Sequence, residues 1–159
     1  VLAEGELVDH RQPGCRSPDW TPLLRALPGP DYASFSPSAQ AAFWQRQWTV
    51  TPQSNRMGMR LRGTPLLRRQ PIELLSHAVL PGVVQVPPDG QPIILMADAQ
   101  TTGGYPCIAS VIQADQWKLA QARPGARLRF VPCSTSEARR ALQQQVQAGL
   151  RLQRMLAQG

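Results

Sequence analysis

Val83–Val86 and Pro92–Ala97 are two apolar, strand-like runs joined by Pro87-Pro88-Asp89-Gly90, and this arrangement constrains the fold more than any other feature of the chain. Proline fixes φ and glycine accepts positive φ, so the four residues form a tight turn with a mechanism. The pair therefore reads as a β-hairpin. Directly after it the character changes. Asp98-Ala99-Gln100-Thr101-Thr102-Gly103-Gly104-Tyr105-Pro106 is polar and small, and a new apolar run starts at Cys107. A strand that opens into a Gly-rich polar loop is how scaffolds commonly present a site. Residue types alone leave two readings open: a structural β-loop, or a site.

The remaining punctuation points to the same class of fold. Sixteen prolines and twelve glycines in 159 residues divide the chain into short pieces. Leu23–Leu27 reads as a strand stopped by Pro28-Gly29-Pro30. Ser36 and Pro37 suit the N-cap and first turn of a helix whose apolar positions include Ala39, Ala42 and Phe43. Trp48–Val50, Met59–Gly63, Cys107–Ile112 and Ala126–Val131 read as strands, and Asp115–Ala122 as a short helix. Ser134-Thr135-Ser136-Glu137 fits a capping box. It opens a long amphipathic helix with Ala138, Leu142, Val146 and Leu150 at four-residue steps, weakened by Gly149. Many short strands with few helices indicate a mainly β domain, closed or half-closed as a barrel.

Composition excludes several classes. The chain has the length of one domain, and 42% hydrophobic residues suffice for a core. No apolar run is long enough for a membrane span, and the start carries no signal-peptide pattern. It begins without Met, in mid-pattern, which suggests processing or truncation. Cys15, Cys107 and Cys133 show neither CxxC nor Cys/His ligand spacing, so no metal site and no disulfide framework is expected, and a reducing cytoplasm is the expected compartment. The net charge of +7 comes from dispersed arginines and a single lysine, Lys118. Without a dense basic run it does not indicate nucleic-acid binding. His77 reads as a packed, hydrogen-bonded histidine, since no triad-like pattern accompanies it. Asn55 and Arg56 beside Gly58 have the residue types of an anion holder, although a hairpin turn with a solvated arginine is the simpler account of them.

Three blocks are recognisable in order. Ser54-Asn55-Arg56-Met57-Gly58-Met59-Arg60-Leu61, Gln85-Val86-Pro87-Pro88-Asp89-Gly90-Gln91-Pro92-Ile93 and Asp98–Pro106 resemble those of one family, known as the 5-oxoprolinase C-subunit, allophanate-hydrolase subunit 2-like, or biotin-dependent carboxyltransferase family. The resemblance spans about residues 23–141 and matches the second half of the family's architecture. It implies that residues 1–22 are a linker or a remnant of an N-terminal half. Residues 23–141 would then be a cyclophilin-like β-barrel lobe with a few short helices, and residues 142–159 an added C-terminal helix. Met59 and Cys107 stand where the family leads one to expect Tyr and Lys or a similar residue.

The resemblance also implies a function. The family's C subunit acts with an A and a B subunit as an ATP-dependent 5-oxoprolinase, which opens a small lactam, 5-oxoproline, to glutamate. The implied partners are therefore a B-subunit-like protein and possibly the A subunit, with ATP entering through the complex and no biotin on this chain. The implied catalytic group is Asp98, Gln100, Thr101 and Thr102. Substrate or phosphate would be held by Asn55, Arg56, Gln85, Tyr105 and a backbone nest at Gly103 and Gly104. The same family leaves three other readings: a regulatory protein that antagonises a kinase inhibitor, a carboxyltransferase lobe of a urea-carboxylase-like biotin enzyme, and an inactive fragment.

Overall fold

The computed structural model describes residues 20–70 and 75–157. Most of the expected 1–22 segment lies outside them. The elements in chain order are β1 (Leu23–Pro28), α1 (Pro37–Gln45), β2 (Trp48–Val50), β3 (Gly58–Arg62), β4 (His77–Ala78), β5 (Val83–Gln85), β6 (Ile93–Leu95), β7 (Thr102–Gly103), β8 (Cys107–Val111), α2 (Gln116–Gln121), β9 (Arg127–Pro132) and α3 (Thr135–Leu156), with single 3₁₀ turns before α1 and α2. Seven of the described strands close into a barrel in the order β1-β8-β5-β6-β3-β2-β9. Closure comes from a parallel pairing of β1 with β9, Leu23 opposite Arg129 through Ala26 opposite Pro132. The other barrel pairs are antiparallel.

The β5–β6 hairpin forms as the sequence dictates. The Gly90 amide donates to the Pro87 carbonyl at 2.9 Å, and Gly90 has φ of 73°. A side chain there would also meet the Leu66 amide nitrogen at 2.9 Å, so glycine is required twice over. The paired part of each strand is shorter than the apolar run that announced it. Val84 faces Ile94 and Gln85 faces Ile93, while the Val86 amide leaves the ladder to donate to the Pro106 carbonyl.

Alternating side chains fill the barrel. Leu24 and Ala26 of β1, Trp48 and Val50 of β2, Met59 and Leu61 of β3, Val84 of β5, Ile94 of β6 and Leu128 and Phe130 of β9 are buried, as period-2 alternation requires. Helix α1 lies over this core. Ser36 Oγ accepts the Ala39 amide and Pro37 opens the helix. Phe43 stacks on Phe130 with centroids 4.4 Å apart, which fixes the helix to the strand that closes the barrel. Aromatic pairs of this kind add about 1 kcal/mol beyond their buried area.

Helix α3 starts in the expected capping box: Ser134 Oγ accepts the Glu137 amide, and Glu137 Oε2 accepts the Ser134 amide at 2.6 Å. Its first turns dock through Ala138 and Ala141 against Ile112, Ala114 and Leu27. The helix then runs on unbroken past Leu142, with Val146 and Leu150 exposed. The apolar stripe of the sequence is thus buried only at its start. Nothing lies within 4 Å of a side chain added at Gly149. Gly149→Ala is accordingly expected to stabilise α3 by about 1 kcal/mol, read as a higher midpoint in thermal or urea unfolding. An unchanged or lower midpoint would show that α3 is not a helix at this point.

Candidate functional site

Two separate places receive the residues singled out from the sequence. The first is a groove of about 430 Å³ between the turn before β3, the segment after β6 and helix α2, lined among others by Asn55, Arg56, Met59, Met96, Asp98 and Leu119. The backbone brings the turn and the post-β6 segment together: the Met96 amide donates to Met57 O and the Asp98 amide to Arg56 O, each at 3.1 Å. Arg56 Nε then meets Asp98 Oδ2 at 2.9 Å. The Arg56 side chain is 89% exposed, so the ion pair contributes little stability, and the guanidinium remains accessible to an anion. Asn55 is used differently. Its Oδ1 accepts the amides of Met57 and Gly58 at 2.9 and 3.1 Å, which makes it the residue that shapes the turn carrying Arg56. Met59 is buried under this groove.

The second place is the Gly-rich loop. Gln100, Thr101 and Thr102 are exposed, and Tyr105 is about half exposed. The loop is less irregular than its composition suggests. Thr102 and Gly103 form β7, paired antiparallel with Ala78 and His77 of β4, and the Val79 amide donates to Thr101 O. The expected anion nest at Gly103 and Gly104 does not have the alternating left-handed form, since among the described glycines only Gly82, Gly90 and Gly125 have positive φ. Gly103 is small for another reason: a Cβ there would stand 2.5 Å from Gln85 Nε2. The buried Gln85 side chain passes under the loop and donates to Tyr105 O at 3.4 Å.

Beside this loop the fold assembles a group that sequence spacing does not reveal. Asp31, His77 and Cys107 bring ligand-type atoms within 4.8 Å of one another. The backbone of Cys107 holds the carboxylate in place, its amide donating to Asp31 Oδ2 at 2.8 Å. His77 Nε2 lies 3.4 Å from Cys107 Sγ, and its Nδ1 lies 3.3 Å from Leu75 O. Burial raises the Cys107 thiol above its ordinary pKa and the Asp31 charge adds to this, while a hydrogen bond from Gln85 opposes it. The thiol is therefore neutral at physiological pH in this environment. His77 is the packed, bonded histidine that the sequence suggested, but its partner is a cysteine 30 residues away, and Asp31 is 76 residues from Cys107. Only the β4–β7 pairing and the β1–β8 corner bring the three together, so no local motif announces them.

A closed barrel whose post-β6 segment is tied to the Asn55–Arg56 turn, and whose Gly-rich loop follows at once, defines a class. The chain belongs to the family described as carboxyltransferase domain, subdomain A and B, whose model matches residues 4–132. Within it, the chain is 56% identical over 126 residues to the 5-oxoprolinase C subunit of Escherichia coli, an alignment that takes in 79% of this chain and 41% of that protein. It is 53% identical over 116 residues to the Haemophilus influenzae protein of the same name, across 73% of this chain and 38% of the other. The chain thus spans about two fifths of the length of these relatives. Among solved structures, Kluyveromyces lactis urea carboxylase superposes with a TM-score of 0.70 at 28% identity, over 74% of this chain and 11% of that one. Among the described residues no helix is long and apolar enough to cross a membrane.

Proposed function

We propose that this chain is part of the C subunit of an ATP-dependent 5-oxoprolinase, acting with A- and B-type subunits to hydrolyse 5-oxoproline to glutamate. The observation that carries this reading is the 56% identity to a 5-oxoprolinase C subunit, twice the 28% shared with urea carboxylase. A lactam is a poor electrophile, so its opening needs activation of the carbonyl oxygen and groups that hold the resulting negative charge. The residues present suit part of that task. Arg56, held at one edge by Asp98, offers the rest of its fork to the substrate carboxylate. The exposed side chains of Gln100, Thr101 and Thr102 supply hydrogen-bond donors on the loop that follows, and Tyr105 walls it. Asp98 keeps Arg56 oriented.

Gly103 and Gly104 lack the positive φ of an alternating anion nest. In this reading ATP is held by the other subunits. The test is ATP-dependent turnover of 5-oxoproline by the chain reconstituted with A- and B-type subunits. The Gln100→Ala, Thr102→Ala double variant is expected to lower kcat/KM by about a hundredfold, the scale on which lost donors to a developing oxyanion act. Full activity in that variant would remove these residues from the site.

A further inference from the structure

We propose that Asp31, His77 and Cys107 form a binding site for a zinc-class divalent ion, at the base of the Gly-rich loop. The donor set is one thiolate, one imidazole nitrogen and one carboxylate oxygen, the set that a borderline-soft ion with tetrahedral preference takes. Ligand distances of about 2.3 Å to sulfur and about 2.0 Å to nitrogen place the two donors roughly 3.5 Å apart around a tetrahedral ion. His77 Nε2 and Cys107 Sγ stand 3.4 Å apart. All three ligand atoms lie within 4.8 Å of one another, so a small turn of the half-buried Asp31 side chain completes the set.

The surroundings are those of a ligand group. With the ring proton on Nδ1, 3.3 Å from the Leu75 carbonyl oxygen, the Nε2 lone pair faces Cys107. Asp31 Oδ2 is fixed by the Cys107 amide, and its second oxygen is left for the ion. Gly103, paired with His77 across β4–β7, holds the histidine's backbone in register. Binding replaces the Cys107 S–H bond by a sulfur–metal bond and releases one proton to solvent. A dication between a thiolate and a carboxylate closes the local charge balance. With three protein ligands among the described residues, the fourth position is available to water or to an oxygen of a small molecule, as in catalytic rather than structural zinc sites.

The experiment uses the full chain stripped with a chelator, reloaded with zinc and desalted, with metal counted per chain. One retained zinc is expected, and cobalt in its place is expected to give a thiolate-to-metal charge-transfer band. Cys107→Ser and His77→Ala should each weaken zinc binding by about tenfold or more, and Asp31→Asn, which still accepts the Cys107 amide, should weaken it less. Cys133→Ser should leave it unchanged. The cobalt thiolate band is read on the unsubstituted chain and does not depend on any variant folding. Absence of retained zinc, zinc retained equally by the Cys107 and His77 variants, or a cobalt complex without the thiolate band would each overturn the proposal and leave the three side chains as a hydrogen-bonded polar group.

Discussion

Asp115→Ala is expected to lower the unfolding free energy by about 3 kcal/mol, the lower end of what breaking a buried ion pair costs. The Asp115 side chain is 1% exposed. Oδ2 accepts the Arg25 backbone amide at 2.8 Å and Arg25 Nε at 3.0 Å, and Oδ1 accepts Arg25 Nη2 at 2.7 Å with Lys118 Nζ at 3.3 Å. Those contacts tie the turn before α2 to β1, the strand whose parallel pairing closes the barrel. Truncation leaves the Arg25 amide and Lys118 without this acceptor. The Arg25 guanidinium is partly exposed and recovers water, which keeps the loss at the lower end. In a domain of this size the loss corresponds to a fall of about 10 °C in the unfolding midpoint.

The same group sets an acid dependence. Burial pushes the Asp115 carboxyl up, but the hydrogen bonds from the Arg25 side chain and backbone and the charges of Lys118 and Arg25 outweigh it, and its pKa ends below the ordinary value. A depressed folded-state pKa contributes stability that is complete above the unfolded carboxylate range and is lost as pH falls through the folded value. The unsubstituted chain should therefore lose stability on acidification below that range. Asp115→Asn should be less stable at neutral pH and show a shallower acid limb. Equal acid limbs in the two proteins would assign the acid sensitivity to other carboxyls.

Elements with strong local chemistry are legible in the sequence. Pro87–Gly90 specifies its turn, Ser36-Pro37 and the Ser134/Glu137 box specify two helix starts, and alternation locates the barrel strands. What is illegible is non-local. The parallel β1–β9 closure has no local signal, because a pairing across the whole chain depends on which edges remain unpaired. The two-residue strands β4 and β7 are too short for any periodicity to mark, so Asp98–Pro106 reads as one open loop. The unmarked β4–β7 pairing is also what brings His77 to Cys107, so the Asp31–His77–Cys107 group stays hidden with it. Asn55 is a residue type that suits a turn and an anion holder alike, and the two amides on Oδ1 show the turn role. Gly103 and Gly104 suggest a nest by composition; φ, which composition does not determine, lacks the left-handed value of its alternating form.

Gly29→Ala is expected to cost about 3 kcal/mol or more as an overpacked site that cannot relax. The added Cβ would fall inside contact distance of the Cys107 carbonyl oxygen and stand 2.9 Å from the Ala109 amide nitrogen. Both are backbone atoms of β8, so no rotamer change relieves the clash, unlike at Gly103, where the obstacle is the end of the Gln85 side chain. The corner after β1 is pinned to β8 at three points: the Gly29 amide on Ile108 O at 2.8 Å, the Asp31 amide on Cys107 O at 3.2 Å, and the Cys107 amide on Asp31 Oδ2 at 2.8 Å. Pushing the corner away from β8 loosens all three and moves Asp31 from Cys107. Two measurements separate the consequences. Chemical unfolding should report the stability loss, and zinc retention by the fraction that still folds should fall as Asp31 withdraws. A Gly29→Ala protein with unchanged stability would show that β1 and β8 do not approach as closely as this corner requires. Unchanged stability is incompatible with the packing, whereas a stability loss with full zinc retention leaves the corner as described and places the ion on His77 and Cys107 without Asp31.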